Sequence, residues 1–504
     1  MLFNSYSFVL IFLPICLAGF YLLRFFVKRD HGFSMCKIWL CALSLIFYYS
    51  FGFSFFALFI LDIILNHFLA LLIVRKRTGK ILFLAVLTNI LLLAFFKYFG
   101  LFTDMINGIM GSSFDVSQIL LPLAISFYTF EQISYLTDLY KGEIKEHKFI
   151  DYLTFITFFP KLLEGPIIRF GEFQRQLQRA TKEPANAEQI YRGMTLFILG
   201  LFKKAILADY IGTIVDYGYP SISSLSFMEA LIVIVCYSFQ IYFDFSGYCD
   251  MGRGIANMLG FDLVANFDMP YKAVNLVDFW KRWHITLTAF FTKYVYIPLG
   301  GSRKGKARTY MNMLFIFLLS GFWHGAGATF VIWGLLHGVL YCVTKLYLDR
   351  KKTIQMRNTA SRAESFFAKK IRKGLSILLT FSYVTFAWVF FRASSIGDAA
   401  LMLGRIFTKP SLQVSRAFAE LFEFDEIWYV FKVTPLSHMA AGVYVCMLLI
   451  LLICFAFIWV FRKDAYRLAL LGKISVIRSL LLAVIFVWCL LTFSNVSTFI
   501  YLNF

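Results

Sequence analysis

Charged residues are scarce in this chain. Asp, Glu, Lys and Arg make up 15% of its 504 residues, against about 25% in an average soluble domain. Hydrophobic residues make up 60% and the mean hydropathy is +0.72. A soluble globular fold does not need that much apolar surface, so the composition predicts a polytopic integral membrane protein. The apolar runs are continuous rather than alternating, which favours helices over a β-barrel and makes the predicted fold class all-α.

Acidic residues are the scarcest of the charged types. The 29 Asp and Glu stand against 49 Lys and Arg, so the net charge is +20. In a soluble protein this charge would suggest a nucleic-acid partner, but the sequence carries no nucleic-acid motif. Lys and Arg collect in the cytoplasmic loops of membrane proteins and face anionic lipid, which makes membrane lipid the predicted partner. The densest polar stretch, at about 349–373, is predicted to be a basic cytoplasmic linker.

Three other signals are missing. None of the nine cysteines forms a C-x-x-C pair, so we infer neither a disulfide framework nor a zinc site. The first 27 residues lack a basic n-region and a small-residue cleavage site, and we interpret them as a retained first helix. There is no repeat and no low-complexity tract. We expect a single membrane domain over 1–504, with C-terminal helices at about 440–500.

Apolar stretches of spanning length recur along almost the whole chain, and we predict about 11 to 13 transmembrane or re-entrant helices. The segment Phe158–Arg169 is unusual because two prolines and a glycine interrupt its apolar run. Proline breaks helices, and irregular backbone at membrane depth needs protein or a water cavity around it, so this segment is predicted to be re-entrant. Lys161 and Glu164 are three residues apart and are expected to neutralise one another.

A tryptophan–histidine pair occurs twice in apolar surroundings, once ending at His284 and once ending at His324. Polar groups at membrane depth are costly and usually functional, so two imidazoles there indicate chemistry inside the bilayer. Around the first pair, four residues have the i, i+3, i+4, i+7 spacing of one helical face: Trp280, Trp283, His284 and Leu287. The alternative is that His284 is an interfacial residue bonded to a carbonyl.

Glycines surround the second pair, at Gly321, Gly325 and Gly327. Glycine lets backbones or a ligand approach closely. A histidine beside such a passage can act as a general base on a hydroxyl, because its ordinary pKa is about 6.5. A packed helix contact satisfied by a neighbouring backbone is the alternative. His337 would lie about 20 Å further along a continuous helix, so we assign it a structural role unless the helix breaks near Gly325–Gly327.

The segment Gln240–Gly252 places two carboxylates and a serine among aromatic residues. Asp244 and Asp250 are six residues apart, on different faces of a helix, and make a poor acid–base pair. We interpret them as orienting groups or partners of buried cations. A role at the helix end is the alternative.

Taken together, these motifs resemble the membrane-bound O-acyltransferase (MBOAT) family, in its bacterial alginate O-acetylation branch. The main motifs occur in order within about 118–393: FFPKLLEGPIIR, QIYFDFSGYCDMG, FWKRWHITLT, YIPLGGSRKG and GFWHGAGATFVIWGLLHG. The resemblance implies a ring of tilted helices around a central funnel or tunnel. It further implies that His324, in the W-H-G motif, is the essential catalytic histidine and that His284 is the second signature histidine.

The resemblance also implies which side chains line the substrate path: Trp280, Trp283, Trp323, Tyr294, Tyr296, Asp244 and Ser246. We expect no metal and no bound cofactor, because the donor, acetyl-CoA or another acyl thioester, is already activated. One departure from the family pattern stands out. The family usually has an Arg-Asp pair before the tyrosine of the YIPLGG stretch, and this chain has Thr292-Lys293.

The implied function is inner-membrane acyl transfer. An acetyl group would pass from a cytoplasmic thioester across the membrane for O-acetylation of a cell-surface polysaccharide such as alginate, with an extracytoplasmic SGNH-type acetyltransferase as partner. D-alanyl transfer to teichoic acids and O-acetylation of peptidoglycan are alternatives. A transporter for a lipid-linked sugar is the alternative outside the enzymes, but it does not account for two Trp-His motifs, and the sequence shows no inverted repeat.

Overall fold

A computed structural model of the protein describes most of the chain, in the ranges 1–26, 29–110, 121–183, 186–357, 365–408, 410–423, 429, 432–433, 441–460, 464–471, 474–493 and 499–500. Within these ranges the regular elements are all helices, which confirms the predicted all-α class. Seven helices are long and apolar enough to cross a membrane: Ser7–Phe26, Phe53–Lys76, Gly79–Thr103, Phe227–Met258, Ala328–Ile354, Phe366–Arg392 and Gly442–Trp459. Shorter apolar helices cover Phe33–Tyr49 and Val476–Leu491.

The α-helices follow one another along the chain as α1 (Leu13–Phe26), α2 (Arg29–Tyr49), α3 (Phe53–Lys76), α4 (Gly79–Met110), α5 (Ile125–Lys141), α6 (Phe149–Thr157), α7 (Phe159–Leu162), α8 (Phe170–Lys182), α9 (Ala187–Phe202), α10 (Asp209–Gly218), α11 (Phe227–Met258), α12 (Leu276–Trp280), α13 (Ile285–Phe291), α14 (Lys306–His324), α15 (Ala328–Arg357), α16 (Phe366–Arg392), α17 (Ile396–Thr408), α18 (Arg416–Glu420), α19 (Gly442–Phe455), α20 (Ala465–Leu471) and α21 (Val476–Leu491). Wider π-helical turns occupy Ser7–Phe12, Lys203–Ala208, Thr292–Tyr296 and Ala456–Val460.

The broken segment predicted at Phe158–Arg169 is present. A single turn, α7, is followed by non-helical backbone up to the start of α8, and every residue from 159 to 168 is buried. The expected pairing of Lys161 with Glu164 is wrong, because α7 ends at Leu162 and Glu164 does not continue the helical face that carries Lys161. Lys161 instead forms an ion pair with Glu131 of α5.

Helices α9 and α11 pack through glycines. A Cβ atom on Gly193 would lie 2.6 Å from the carbonyl oxygen of Gly254, and one on Gly200 would lie 2.6 Å from that of Gly247. Only glycine permits backbones this close. The capping box of Ser226 and Glu229 starts α11, because each side chain accepts a hydrogen bond from the other residue's backbone N–H.

Next to this close packing, two buried lysines form three ion pairs. Lys203 lies 2.6 Å from Asp250, and Lys204 lies 2.6 Å from Asp244 and 2.7 Å from Asp209. The prediction that Asp244 and Asp250 are partners of buried cations is therefore confirmed. A buried charge is tolerated when it is paired and hydrogen-bonded, which these lysines are.

Helices α14 and α15 form a hairpin that also depends on glycine. A Cβ on Gly334 would lie 2.5 Å from the carbonyl oxygen of Phe317, and one on Gly321 would lie 2.5 Å from that of Phe330. The residues between the two helices are extended or in turns, so the chain reverses directly after His324.

The predicted linker at 349–373 is mostly helix. Helix α15 continues to Arg357 and α16 begins at Phe366, while residues 358–364 lie outside the described residues. Much of a second polar stretch, at about 408–438, also lies outside them. The predicted C-terminal helices are present as α19, α20 and α21.

Candidate active site

The backbone around the first Trp-His pair is broken. Helix α12 ends at Trp280 and α13 begins at Ile285, directly after His284, which has a left-handed φ of 45°. The predicted single helical face is therefore wrong, because a left-handed residue cannot continue a right-handed helix. Non-glycine residues with positive φ are uncommon and cluster at functional sites. The turn carries the His284 side chain into the protein, where the residue is 1% exposed.

The second Trp-His pair ends a helix. His324 is the last residue of α14 and is 3% exposed. The neighbouring glycines serve packing: Gly321 lies against the Phe330 carbonyl and Gly325 against the Phe330 ring. The predicted open passage beside His324 is therefore occupied, on this side, by α15.

Trp323 brings the two motif histidines together. Its ring centroid lies 4.6 Å from that of His324 and 6.2 Å from that of His284. On its other side the indole stacks on Phe130 of α5, at 5.3 Å. The two imidazoles, 40 residues apart in sequence, therefore share one aromatic wall. His284 is not interfacial, and its Nδ1 lies 3.1 Å from the side-chain oxygen of Asn266.

The break between α14 and α15 also brings His337 close to this cluster. The Trp333 ring lies 5.1 Å from His324 and 5.0 Å from His337. The indole nitrogen of Trp280 donates a hydrogen bond of 3.3 Å to Nδ1 of His337. His337 therefore holds the predicted path residue Trp280 in place, which agrees with the structural role assigned to it.

Two further tryptophans complete the cluster. Trp388 of α16 lies 5.0 Å from Trp283 and 5.6 Å from Trp333. Trp333 lies in the GFWHGAGATFVIWGLLHG motif, yet sequence reasoning singled out neither Trp333 nor Trp388 as a site residue. Their role is visible only once α15 and α16 pack against the Trp-His turns.

Lys97 is a second feature that the sequence analysis missed. It lies on the membrane-spanning part of α4 and donates a hydrogen bond to the backbone carbonyl of Trp323. Its ammonium is 5.5 Å from the centre of the Trp323 ring. The next residue, Tyr98, donates from its hydroxyl to the carbonyl of Phe322. A cation at membrane depth beside a predicted catalytic motif is itself a sign of function.

An apolar cavity of about 170 Å³ adjoins the cluster. The predicted path residues Trp280 and Tyr296 line it, with Thr288 and Ser320 as polar groups and Lys281 among the lining residues. A mostly apolar lining with a few polar groups is typical of small-molecule sites.

Tyr294, Asp244 and Ser246 are also predicted to line the substrate path, but they do not line this cavity. The Tyr294 hydroxyl donates a 2.9 Å hydrogen bond to Asp138. Asp244 and Ser246 face the lysine pair, with the Ser246 hydroxyl 3.5 Å from Lys203. Their neighbour Phe245 contacts the His284 ring at 4.9 Å, so this part of α11 borders the site through its aromatic residue. In the described part of the chain no group of three or more His, Cys, Asp or Glu has an arrangement that would hold a metal ion.

Comparison with known proteins identifies the family of the chain. Residues 115–371 match the model of the MBOAT, membrane-bound O-acyltransferase family. A peptidoglycan O-acetyltransferase from Helicobacter pylori is 39% identical over 432 residues, which cover 80% of this chain and 79% of that protein. The chain belongs to the membrane-bound O-acyltransferase family. It is a multi-pass membrane enzyme, and the transporter alternative is no longer needed.

Other relatives of this membrane-bound O-acyltransferase differ in their named reactions. A probable alginate O-acetylase AlgI from Pseudomonas putida is 35% identical over 426 residues, which cover 82% of each chain. A teichoic acid D-alanyltransferase from Streptococcus thermophilus is 27% identical over 283 residues, which cover 53% of this chain and 68% of that protein.

Proposed function

We propose that this O-acyltransferase resides in the inner membrane and passes an acetyl group from a cytoplasmic thioester to a cell-envelope polysaccharide. The observation that carries the proposal is the meeting of His284 and His324 on Trp323 inside an apolar membrane domain. The relatives favour acetyl as the group: the two O-acetylases match about four fifths of the chain, whereas the D-alanyltransferase matches 53%.

In the proposed reaction, His324 acts as general base. Its imidazole accepts the proton of the acceptor hydroxyl while the hydroxyl oxygen attacks the thioester carbonyl carbon. The carbon–sulfur bond then breaks, and the leaving thiolate takes up the proton from His324. Ester and free thiol are the products, so the reaction balances without a metal or a redox step.

The acceptor is proposed to lie on the extracytoplasmic side. The thioester donor, acetyl-CoA in our proposal, is charged and confined to the cytoplasm, so the acyl group has to cross the membrane domain. We further propose that an extracytoplasmic SGNH-type acetyltransferase receives the acetyl group and modifies the polymer. The relatives support both peptidoglycan and an alginate-like polymer as final acceptor.

The test is transfer of label from radiolabelled acetyl-CoA by the purified protein in nanodiscs. We expect transfer with the wild type and its loss in His324→Ala. His67→Ala is the matched control, because His67 lies on α3 and stacks on Tyr152 rather than on Trp323. Wild-type transfer that persists in His324→Ala would contradict the role of His324.

The acceptor is identified by adding alginate oligomers or peptidoglycan fragments, each with and without the candidate extracytoplasmic partner. Label in one polymer assigns the substrate. Label transfer only from a D-alanyl thioester would replace acetyl by D-alanyl as the transferred group.

A further inference from the structure

A buried asparagine contacts the imidazole of His284. Asn266 lies in the loop between α11 and α12, is 1% exposed, and places Oδ1 at 3.1 Å from Nδ1 of His284. The mechanism proposed above assigns no role to Asn266.

The orientation of this amide follows from its other neighbours. The backbone N–H of Thr286 donates to Asn266 Oδ1 at 3.2 Å, and the Thr286 hydroxyl donates at 2.9 Å. The same hydroxyl accepts a hydrogen bond from the backbone N–H of Ile167 at 3.1 Å, which leaves its own proton for Asn266. Because a backbone N–H cannot accept, the atom that faces Thr286 is the oxygen. The amide nitrogen donates to the sulfur of Cys249 at 3.4 Å.

The orientation of Asn266 determines the tautomer of His284. An amide oxygen only accepts, so Nδ1 of His284 carries the proton, and the Nε2 atom of the neutral ring is left with a lone pair. That Nε2 atom is buried and has no hydrogen-bond partner among the described residues. Leaving a buried polar atom unpaired is costly, and a catalytic role is one reason that such an atom persists in a native structure.

The surrounding aromatic rings restrict the orientation of the His284 imidazole. Phe245 lies edge-on to the imidazole at 4.9 Å, and Trp323, which also contacts His324, lies 6.2 Å away. Because His284 is fully enclosed, its ring cannot turn over without displacing them. The bond to Asn266 therefore selects both the tautomer and the nitrogen that faces inward.

We propose that Asn266 is a positioning residue that holds His284 as the Nδ1–H tautomer, so that Nε2 accepts a hydrogen bond from the hydroxyl group undergoing acyl transfer. This inference rests on the proposed function. In it, His284 orients the hydroxyl and His324 removes its proton.

The experiment compares Asn266→Leu, which removes the acceptor at similar volume, with Asn266→Asp, whose carboxylate can accept the same three hydrogen bonds. Nitrogen NMR of histidine-labelled protein in nanodiscs reports which ring nitrogen carries the proton, and His284→Gln identifies the His284 signals among the seven histidines. Asn257→Leu is the control for loss of a buried amide, because the Asn257 side chain bonds within its own helix, to Arg253.

We expect protonated Nδ1 in the wild type and in Asn266→Asp, and a mixture of tautomers in Asn266→Leu. The turnover number should fall about 100-fold in Asn266→Leu with KM little changed, and should stay within about tenfold of the wild type in Asn266→Asp. A wild-type ring protonated at Nε2 and not at Nδ1 would overturn the proposal, and so would equal losses of turnover in the Leu and Asp variants.

The NMR signals test the role of Asn266 independently of the proposed acetyl transfer. Protonated Nδ1 that becomes a mixture in Asn266→Leu supports the control of His284 even if acetyl-CoA is not the donor. In that case the turnover comparison is made with the donor that the transfer assay identifies.

Discussion

Lys97 donates a hydrogen bond to the backbone carbonyl of Trp323, the residue before His324. The last carbonyls of a helix have no partner within the helix and carry partial negative charge, so a cation there is stabilising. Tyr98 binds the preceding carbonyl, that of Phe322. Two consecutive residues of α4 therefore fix the end of α14, and with it the direction in which His324 enters the site.

Replacing Lys97 by Met should slow acyl transfer without preventing insertion. Loss of a hydrogen bond from a charged donor corresponds to about 1.5–3 kcal/mol, and we expect a decrease in turnover of about 10- to 100-fold. Lys80→Met is the matched control, since Lys80 is an exposed lysine near the start of the same helix. Label transfer in nanodiscs measures both variants, and equal rates for Lys97→Met and wild type would refute a role in positioning His324.

The Lys161–Glu131 pair gives a prediction about stability. Their side chains are 0% and 5% exposed, so Lys161→Met leaves a buried carboxylate without its partner. We expect a loss of about 3–5 kcal/mol and a clear decrease in melting temperature. The double variant Lys161→Met/Glu131→Leu should recover much of this loss. Arg179→Met, which breaks an exposed pair with Glu183, should change stability by less than about 1 kcal/mol.

Close packing of α14 and α15 is predicted to require Gly334. In Gly334→Ala the new methyl group would lie 2.5 Å from the Phe317 carbonyl oxygen, so the helices have to separate. We expect lower melting temperature and lower transfer activity, because α14 carries His324. Gly404→Ala is the control: outside its own helix backbone, no atom of the described residues lies within 4 Å of its Cβ position, and alanine is favoured over glycine in a helix by about 0.5–1 kcal/mol. Equal effects of the two substitutions would contradict the packing argument.

Glu143 lies outside the membrane-spanning helices, and its ion pair is predicted to make the melting temperature depend slightly on pH. Lys293 donates to its carboxylate at 2.5 Å, and this bond holds the pKa of Glu143 below its ordinary value of 4.5. A carboxyl group with a lowered folded-state pKa stabilises the fold above its unfolded-state pKa, and this stabilisation is lost as pH falls through the folded-state pKa. The melting temperature of wild type should therefore exceed that of Glu143→Gln slightly at neutral pH, and the difference should disappear in acid. A difference that is constant with pH would exclude this ionic contribution.

The sequence predicts the spanning helices well because hydrophobic length is a property of local sequence. The break in the helix at His284, in contrast, depends on residues that are distant in sequence. Its turn is held by two distant backbone hydrogen bonds, from Ile285 to Asn266 and from Asp268 to Arg282, both 2.9 Å long. A helical spacing rule takes no account of them.

The residues of the candidate site were likewise predicted only in part. His284 and His324 were found from their motifs, and the structure brings both to Trp323. Lys97 was missed because its partner is 226 residues away in sequence, and Asn266 was missed because an isolated asparagine has no motif. The ring of helices around a tunnel and the catalytic roles of the two histidines stay predictions.

The ion pairs between the π-helical turn after α9 and helix α11 bear on how the protein is made. Lys204 is synthesised 40 residues before Asp244, and Lys203 is synthesised 47 residues before Asp250. A single lysine at the centre of a membrane helix costs about 2.5–3.5 kcal/mol on insertion scales. Lys203 and Lys204 directly follow α9 in the π-helical turn, and Lys204 has a carboxylate nearby in sequence at Asp209, whereas Lys203 pairs with Asp250. Synthesis of α11 supplies the partner of Lys203 and a second partner for Lys204. We therefore expect the packing of α11 to stabilise the segment that carries the two lysines while the protein is being made.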